Sequence, residues 1–224
     1  MTNEELEKLA KERVDAAYKE RLVNGKRNEG EVNMKLAYAD PPYPGCAALY
    51  KDHPDYAGEV DHAALLRTLQ DNYDGWVLHT SSVALRAILP LVPDGARVMA
   101  WVKGFAAFKR NVSVAYAWEP VIVKPARKPV VSKRLVMRDW VECPITLRRG
   151  LTGAKPEKVC HWAFEMLGAR PDDDLVDLFP GTGAVTRAWQ TWRGLFVLPA
   201  ATPHVAPATN RVADQQNQEV TDEQ

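Results

Sequence analysis

Between residues 35 and 198, short apolar runs alternate with stretches of helical spacing, and this alternation limits the possible folds more than any other feature. Strands are expected at 35–40, Trp76–Thr80, Arg97–Val102, within Tyr116–Val123, and at Leu175–Phe179 and Leu195–Leu198. Helices are expected at 60–72, from Ser81-Ser82 to Leu91, from Lys155 to Leu167 with Gly168 as the stop, and at Ala184–Trp192. Strands that alternate with helices form an α/β sheet with parallel strands and helices on both faces. Ahead of this region, Thr2 and Glu5 form a capping box for an amphipathic helix over residues 3–22. From Pro199 onward the chain is polar with scattered prolines and reads as a disordered tail. The expected organisation is an N-terminal helix within 1–30, one α/β domain over 31–198 with a basic insert at about 104–150, and a tail over 199–224.

Composition narrows the function classes. The 46% hydrophobic fraction supplies a core for one domain of this length. Lys+Arg and Asp+Glu both number 29, which argues against a coat of positive charge but leaves room for a local basic face. Cys46, Cys143 and Cys160 are too widely spaced for a disulfide framework and fit a reducing cytoplasm. Charge runs through Met1–Leu22 where a secretory signal would be apolar, and no run approaches the ~18 apolar residues of a membrane span.

Two motifs carry chemistry. The run Leu36-Ala37-Tyr38-Ala39 ends in Asp40-Pro41-Pro42-Tyr43. This sets a carboxylate, a proline carbonyl and an aromatic ring at the C-terminal end of a strand, the edge where open α/β sheets bind ligands. Two neighbouring acceptors suit an exocyclic amino group, which has two N–H donors, and the tyrosine face suits a flat ring. Those residues point to an enzyme acting on the amino group of a nucleobase. In the second motif, Asp177-Leu178-Phe179-Pro180-Gly181-Thr182-Gly183 joins a strand to a helix. Glycines at such a turn let backbone approach a ligand, and the helix start offers free N–H groups. Thr186 stands where a dinucleotide fingerprint needs its third glycine, and no Gly-Lys-Ser/Thr ending marks a phosphate loop.

Together these motifs resemble those of S-adenosylmethionine-dependent amino-methyltransferases of nucleic acid, of the DNA adenine-N6 type. Asp177-x-Phe179-x-Gly181-x-Gly183 resembles the family's cofactor motif, Asp40-Pro41-Pro42-Tyr43 its catalytic motif, and Lys155-Pro156 the short motif that precedes the cofactor strand. The order, catalytic motif before cofactor motif, is that of the circularly permuted beta group, and the likeness covers about residues 35–198. Around Trp118-Glu119-Pro120 and Arg148–Pro156 the chain also resembles short phage and prophage methyltransferases of actinobacteria.

The resemblance implies a Rossmann-like methyltransferase sheet using S-adenosylmethionine. Asp40 and the Pro41 carbonyl would accept the two amino hydrogens, Pro42 would fix the turn, and Tyr43 would stack on a flipped adenine. Asp177, Phe179, Pro180, Gly181, Thr182, Gly183 and Lys155 would hold the cofactor. Aspartate at position 40 leans toward adenine N6 over cytosine N4, whereas adenosine in RNA, or a non-catalytic nucleic-acid-binding protein on this fold, stays open as an alternative. The chain departs from the family where the last strand ends Val197-Leu198-Pro199-Ala200, without the usual ribose-binding acid, and the edge strand beyond it is expected to be missing.

The partner implied is DNA, bound by a monomer or a homodimer. Lys103, Lys109, Arg110, Lys124, Arg127, Lys128, Lys133 and Arg134 make a basic segment with Arg138, opposed only by Glu119. Basic side chains there would neutralise phosphates, and Trp101, Phe105, Phe108 and Trp140 are candidates to stack on unpaired bases. No metal is expected, because Cys160-His161 has no second ligand pair at zinc spacing. Cys46 is separated from Pro44 by Gly45, unlike a Pro-Cys nucleophile, and His53, His62, His79 and His204 show no triad partners in sequence.

Overall fold

The computed structural model describes residues 32–51, 56, 58–105, 112–127, 137–145 and 154–196. The expected helix at 3–22 and the tail from 199 lie outside them, as do Lys109, Arg110, Lys128, Lys133 and Arg134 of the basic segment.

Among the described residues six strands form one sheet: β1 (Lys35–Ala39), β2 (Gly75–His79), β3 (Arg97–Val102), β4 (Trp118–Lys124), β5 (Trp140–Glu142) and β6 (Asp174–Asp177), in the order β5-β3-β4-β2-β1-β6. The pairs β1–β2, β1–β6 and β3–β5 are parallel, whereas β4 runs antiparallel to β2 and β3. The sheet is therefore mixed. β4 starts at the edge where β3 ends, so the chain turns back without a crossover. β5 is a strand that the aperiodic stretch 124–150 did not announce, since three residues at a sheet edge carry too little pattern to read.

The helices are α1 (His62–Asn72), α2 (Leu85–Ile88), α3 (Glu157–Leu167) and α4 (Ala184–Gly194). Side chains alternate across a strand, and the two faces bury different partners. Leu36, Tyr38, Val77, Trp101 and Val121 form a core with α3 and α4, in which Trp189 stacks on Trp192 at 5.1 Å. Ala37, Ala39, Trp76, Leu78 and Ile122 pack against α1 and α2. α3 buries most of its circumference because it lies between the sheet and α4. It ends at Gly168, where φ is +65° and an added Cβ would come within 2.6 Å of the Arg127 carbonyl oxygen. That position needs glycine for both backbone conformation and space.

Two expected elements change. The helix from Ser81 to Leu91 shortens to α2 followed by a 3-10 turn over Leu89–Leu91, because Pro90 has no N–H to continue the ladder. The expected strand at Leu195–Leu198 is a turn at 195 and 196, and its remainder is outside the described residues. Among the described residues no helix is long and apolar enough to cross a membrane.

Candidate active site

The strand directions bring distant residues to one edge of the sheet. Asp40 follows β1, His79 ends β2, Lys103 follows β3, Glu119 is the second residue of β4 and Asp177 ends β6. β1 and β6 are neighbours with Tyr38 opposite Asp177, so the two sequence motifs open side by side although more than a hundred residues separate them.

Lys155, just before α3, is the hub. Its Nζ donates to Asp40 Oδ2 at 2.8 Å and Glu119 Oε1 at 3.2 Å, and its side chain is only 5% exposed. The same ammonium is 3.5 Å from the Tyr43 hydroxyl and 5.7 Å from the Trp101 ring centroid. Glu119 is held from several directions. His79 Nδ1 lies 2.8 Å from its Oε1, and Lys103 Nζ 3.0 Å from its Oε2. An ionised carboxylate only accepts, so Nδ1 of His79 carries the hydrogen, and Nε2 takes the Tyr38 hydroxyl at 2.6 Å. The cluster balances formally: two carboxylates, Asp40 and Glu119, against two ammoniums, Lys155 and Lys103.

Burial opposes ionisation of Glu119, yet Lys155, His79 and Lys103 hold its carboxyl well below the usual range. Burial likewise opposes the charge on Lys155, but Asp40 and Glu119 push the ammonium well above its ordinary value, so it stays a cation. Burial raises the phenols of Tyr38 and Tyr43 well above theirs, although Lys155 works against the rise at Tyr43. Both tyrosines therefore remain neutral. Asp40, His79 and Glu119 converge within 4.8 Å, as metal ligands do, but the Lys155 ammonium already bridges the two carboxylates.

The second motif forms a tight turn. The Asp177 carboxylate accepts from the Phe179 N–H at 3.3 Å and the Thr186 hydroxyl at 3.4 Å, and burial raises its carboxyl. Gly183 N–H closes the turn on the Pro180 carbonyl at 2.6 Å. Gly183 has φ +70° and caps α4 without a side-chain bond, so backbone rather than a side chain faces the start of the helix. Arg187 folds back onto the Thr182 carbonyl at 2.8 Å. Phe179 packs partly buried against the α1–α2 core, which gives it a structural role in the turn.

The expected site residues thus fall into groups. Asp40, Pro41, Pro42 and Tyr43 lie together with Lys155, which sits against the Asp-Pro-Pro-Tyr aspartate. Glu119 and His79 join them although the sequence set His79 aside and read Glu119 as one acid among bases. Their signal was a charged or polar residue at the end of an apolar strand, which tells of burial but not of a partner.

Among the described residues, the basic segment does not form one face. Lys124 donates to the Asp94 carbonyl at 3.1 Å, at the sheet edge opposite Asp40. Arg127 is on that far side too, bonded to both oxygens of buried Asp173 at 2.6 and 2.8 Å and to the Val32 carbonyl at 3.2 Å. Lys103 is at the site edge, but its ammonium is spent on Glu119 and on the Trp101 ring, 4.6 Å away. All three described bases among the expected nucleic-acid contacts therefore serve partners within the protein, and sequence clustering did not reveal that their strand ends point apart.

No protein-family model matches the chain, and no curated protein does. Among solved structures, it is similar to the M1.HpyAVI–SAM complex with TM-score 0.50 and 16% identity, over 78% of this chain and 84% of that one. A second structure, of M1.HpyAVI, gives TM-score 0.43 and 18% identity over 72% of this chain and 78% of that one. At the first of these likenesses the chain shares an α/β fold with M1.HpyAVI: a mixed six-stranded sheet covered by helices on both faces.

Proposed function

We propose that the chain transfers a methyl group from S-adenosylmethionine to the N6 amino group of adenine in DNA, as a circularly permuted amino-methyltransferase. The observation that carries this reading is Asp40-Pro41-Pro42-Tyr43 beside the Asp177–Gly183 turn at one sheet edge. The similar M1.HpyAVI structure is a complex with SAM, which supports the cofactor. So do the residues: a half-buried acid, a glycine turn and a helix start without a side-chain cap bring a carboxylate and free backbone N–H groups together. Asp177 and the backbone of Phe179 to Gly183 would line it. When bound, the cofactor supplies an electrophilic methyl on a sulfonium.

The chain's own residues prepare the nucleophile. A ring amino group is weakly nucleophilic because its lone pair is delocalised into the ring. Asp40 and the Pro41 carbonyl, accepting its two hydrogens, favour a more tetrahedral nitrogen whose lone pair is free. The amino group begins with two hydrogens and ends with one, and Asp40 is the acceptor nearest the departing proton. Tyr43 supplies the stacking face for a base rotated out of the duplex. Positioning and fixed charge thus carry the step.

The test is nucleoside mass analysis of unmethylated DNA incubated with protein and S-adenosylmethionine. N6-methyladenine that disappears with Asp40→Ala is the expected result. N4-methylcytosine, or a mark on RNA alone, would change the target. No mark on either, with no cofactor binding, would refute the proposal.

A further inference from the structure

The cluster behind Asp40 contains more charge than holding one lysine requires. Lys155 is shared between two carboxylates, and the second, Glu119, is fixed by two further partners, His79 on Oε1, itself held by the Tyr38 hydroxyl, and Lys103 on Oε2. Fixing a buried carboxylate this thoroughly is costly unless its position matters. Glu119 draws the Lys155 ammonium toward one end of a bridge whose other end is Asp40 Oδ2. Oδ1 is then the oxygen left for an incoming amino group, beside a cation that is only partly neutralised by Asp40 itself.

Resting on the methyl-transfer reading above, we propose that Lys155 and Glu119 are positioning residues that hold the Asp40 carboxylate in place and set the direction of its free oxygen. Lys155 holds Asp40 by its Oδ2, at 2.8 Å. Glu119, at 3.2 Å, shares the Lys155 ammonium with Asp40, at 2.8 Å, so the cation is not given to Asp40 alone. Lys155 therefore acts on the catalytic aspartate, distinct from the cofactor contact that its sequence position implies. Several other groups bear on the cluster: Tyr38, Tyr43, Tyr50, His79, Lys103, Trp101, Cys160 on α3, and Asp177 on β6. Among the described residues, only Lys103 adds a second fixed cation to the cluster, and it faces Glu119.

The charge pattern makes a double variant informative. Lys155→Met leaves two carboxylates facing each other without their bridge, and like charges at that range raise a carboxyl by about one to three pH units. The acid limb of kcat/KM should move up by that amount, with cofactor affinity kept within about threefold. Adding Glu119→Gln removes the repulsion. The limb should return toward the wild-type position, and activity near pH ~5, on the displaced limb, should rise about tenfold above Lys155→Met alone, with a change of at most about twofold at neutral pH. Glu119→Gln by itself should move the limb down. Should the Lys155 variants fail to fold, this single variant still decides.

A double variant no better than Lys155→Met, with an unmoved acid limb, overturns the proposal. So does a Lys155→Met variant that weakens only cofactor binding, or a Glu119→Gln limb that stays put or rises. If wild-type protein marks no nucleic acid, it is the methyl-transfer reading that fails. A 13C NMR titration of the Asp40 carboxyl in the same variants then reads the electrostatics without turnover. An Asp40 titration that ignores both substitutions overturns the positioning claim independently.

Discussion

Replacing Arg127 with methionine separates a structural cation from a nucleic-acid contact. Methionine keeps most of the aliphatic stem and removes the guanidinium. In the structure that group makes two short bonds to Asp173, whose side chain is fully buried, and a third to the Val32 carbonyl. Asp173 also accepts from the Met34 N–H at 2.9 Å and the Arg170 N–H at 2.7 Å, so it pins the entrances of β1 and β6 to each other. Without Arg127 those two N–H donors remain, but the carboxylate is left buried without a counter-charge. Breaking a buried pair in this way costs about 3–5 kcal/mol. That is a large part of the ~5–15 kcal/mol that holds a typical domain folded. With a urea m-value of about 2 kcal/mol/M, the midpoint should fall by roughly 2 M at unchanged m. The folded variant, measured at low temperature, should bind DNA with the salt dependence of wild type. A midpoint shift below about 0.5 M would refute the structural role. A salt slope smaller by about one would put Arg127 back on a phosphate.

Other expectations follow from the same site. Glu119 has a depressed carboxyl, so its stabilising contribution is complete above its ordinary value of 4.5 and is lost as pH falls toward the folded value. Acid denaturation should therefore be shallower in that window for Glu119→Gln, and an unchanged slope would contradict the pairing. Lys155 gives the opposite sign: its contribution is complete below 10.5 and fades as pH rises through the higher folded value. Denaturation midpoints for Lys155→Met should show less alkaline loss than wild type. Burial pushes the Cys160 thiol up to about 12 and leaves it no exposed surface, so a thiol reagent should modify it only after unfolding, as mass analysis of the Cys160 peptide would show. Labelling in native protein would mean that α3 opens.

By itself the sequence determined the local chemistry. Apolar runs interrupted by Pro41-Pro42 and by the Gly181–Gly183 turn fixed where strands end and a helix begins, because proline lacks an N–H and glycine tolerates positive φ. From that came β1, β3, α1, α3 and α4 within a few residues, and with them Asp40-Pro41-Pro42-Tyr43 and Asp177–Gly183. The sequence did not determine strand direction. The reversal of β4 depends on which edge the chain leaves from, and that reversal brings Glu119 beside Asp40. Nor did it tell which basic residues are free: Lys103, Lys124 and Arg127 lie in one stretch of sequence but at two opposite edges of the sheet. Tertiary structure alone decided the partners of Lys155, Glu119 and His79. A buried charge is stable only with a counter-charge nearby, and residues far apart in the chain supply it once the strands are aligned.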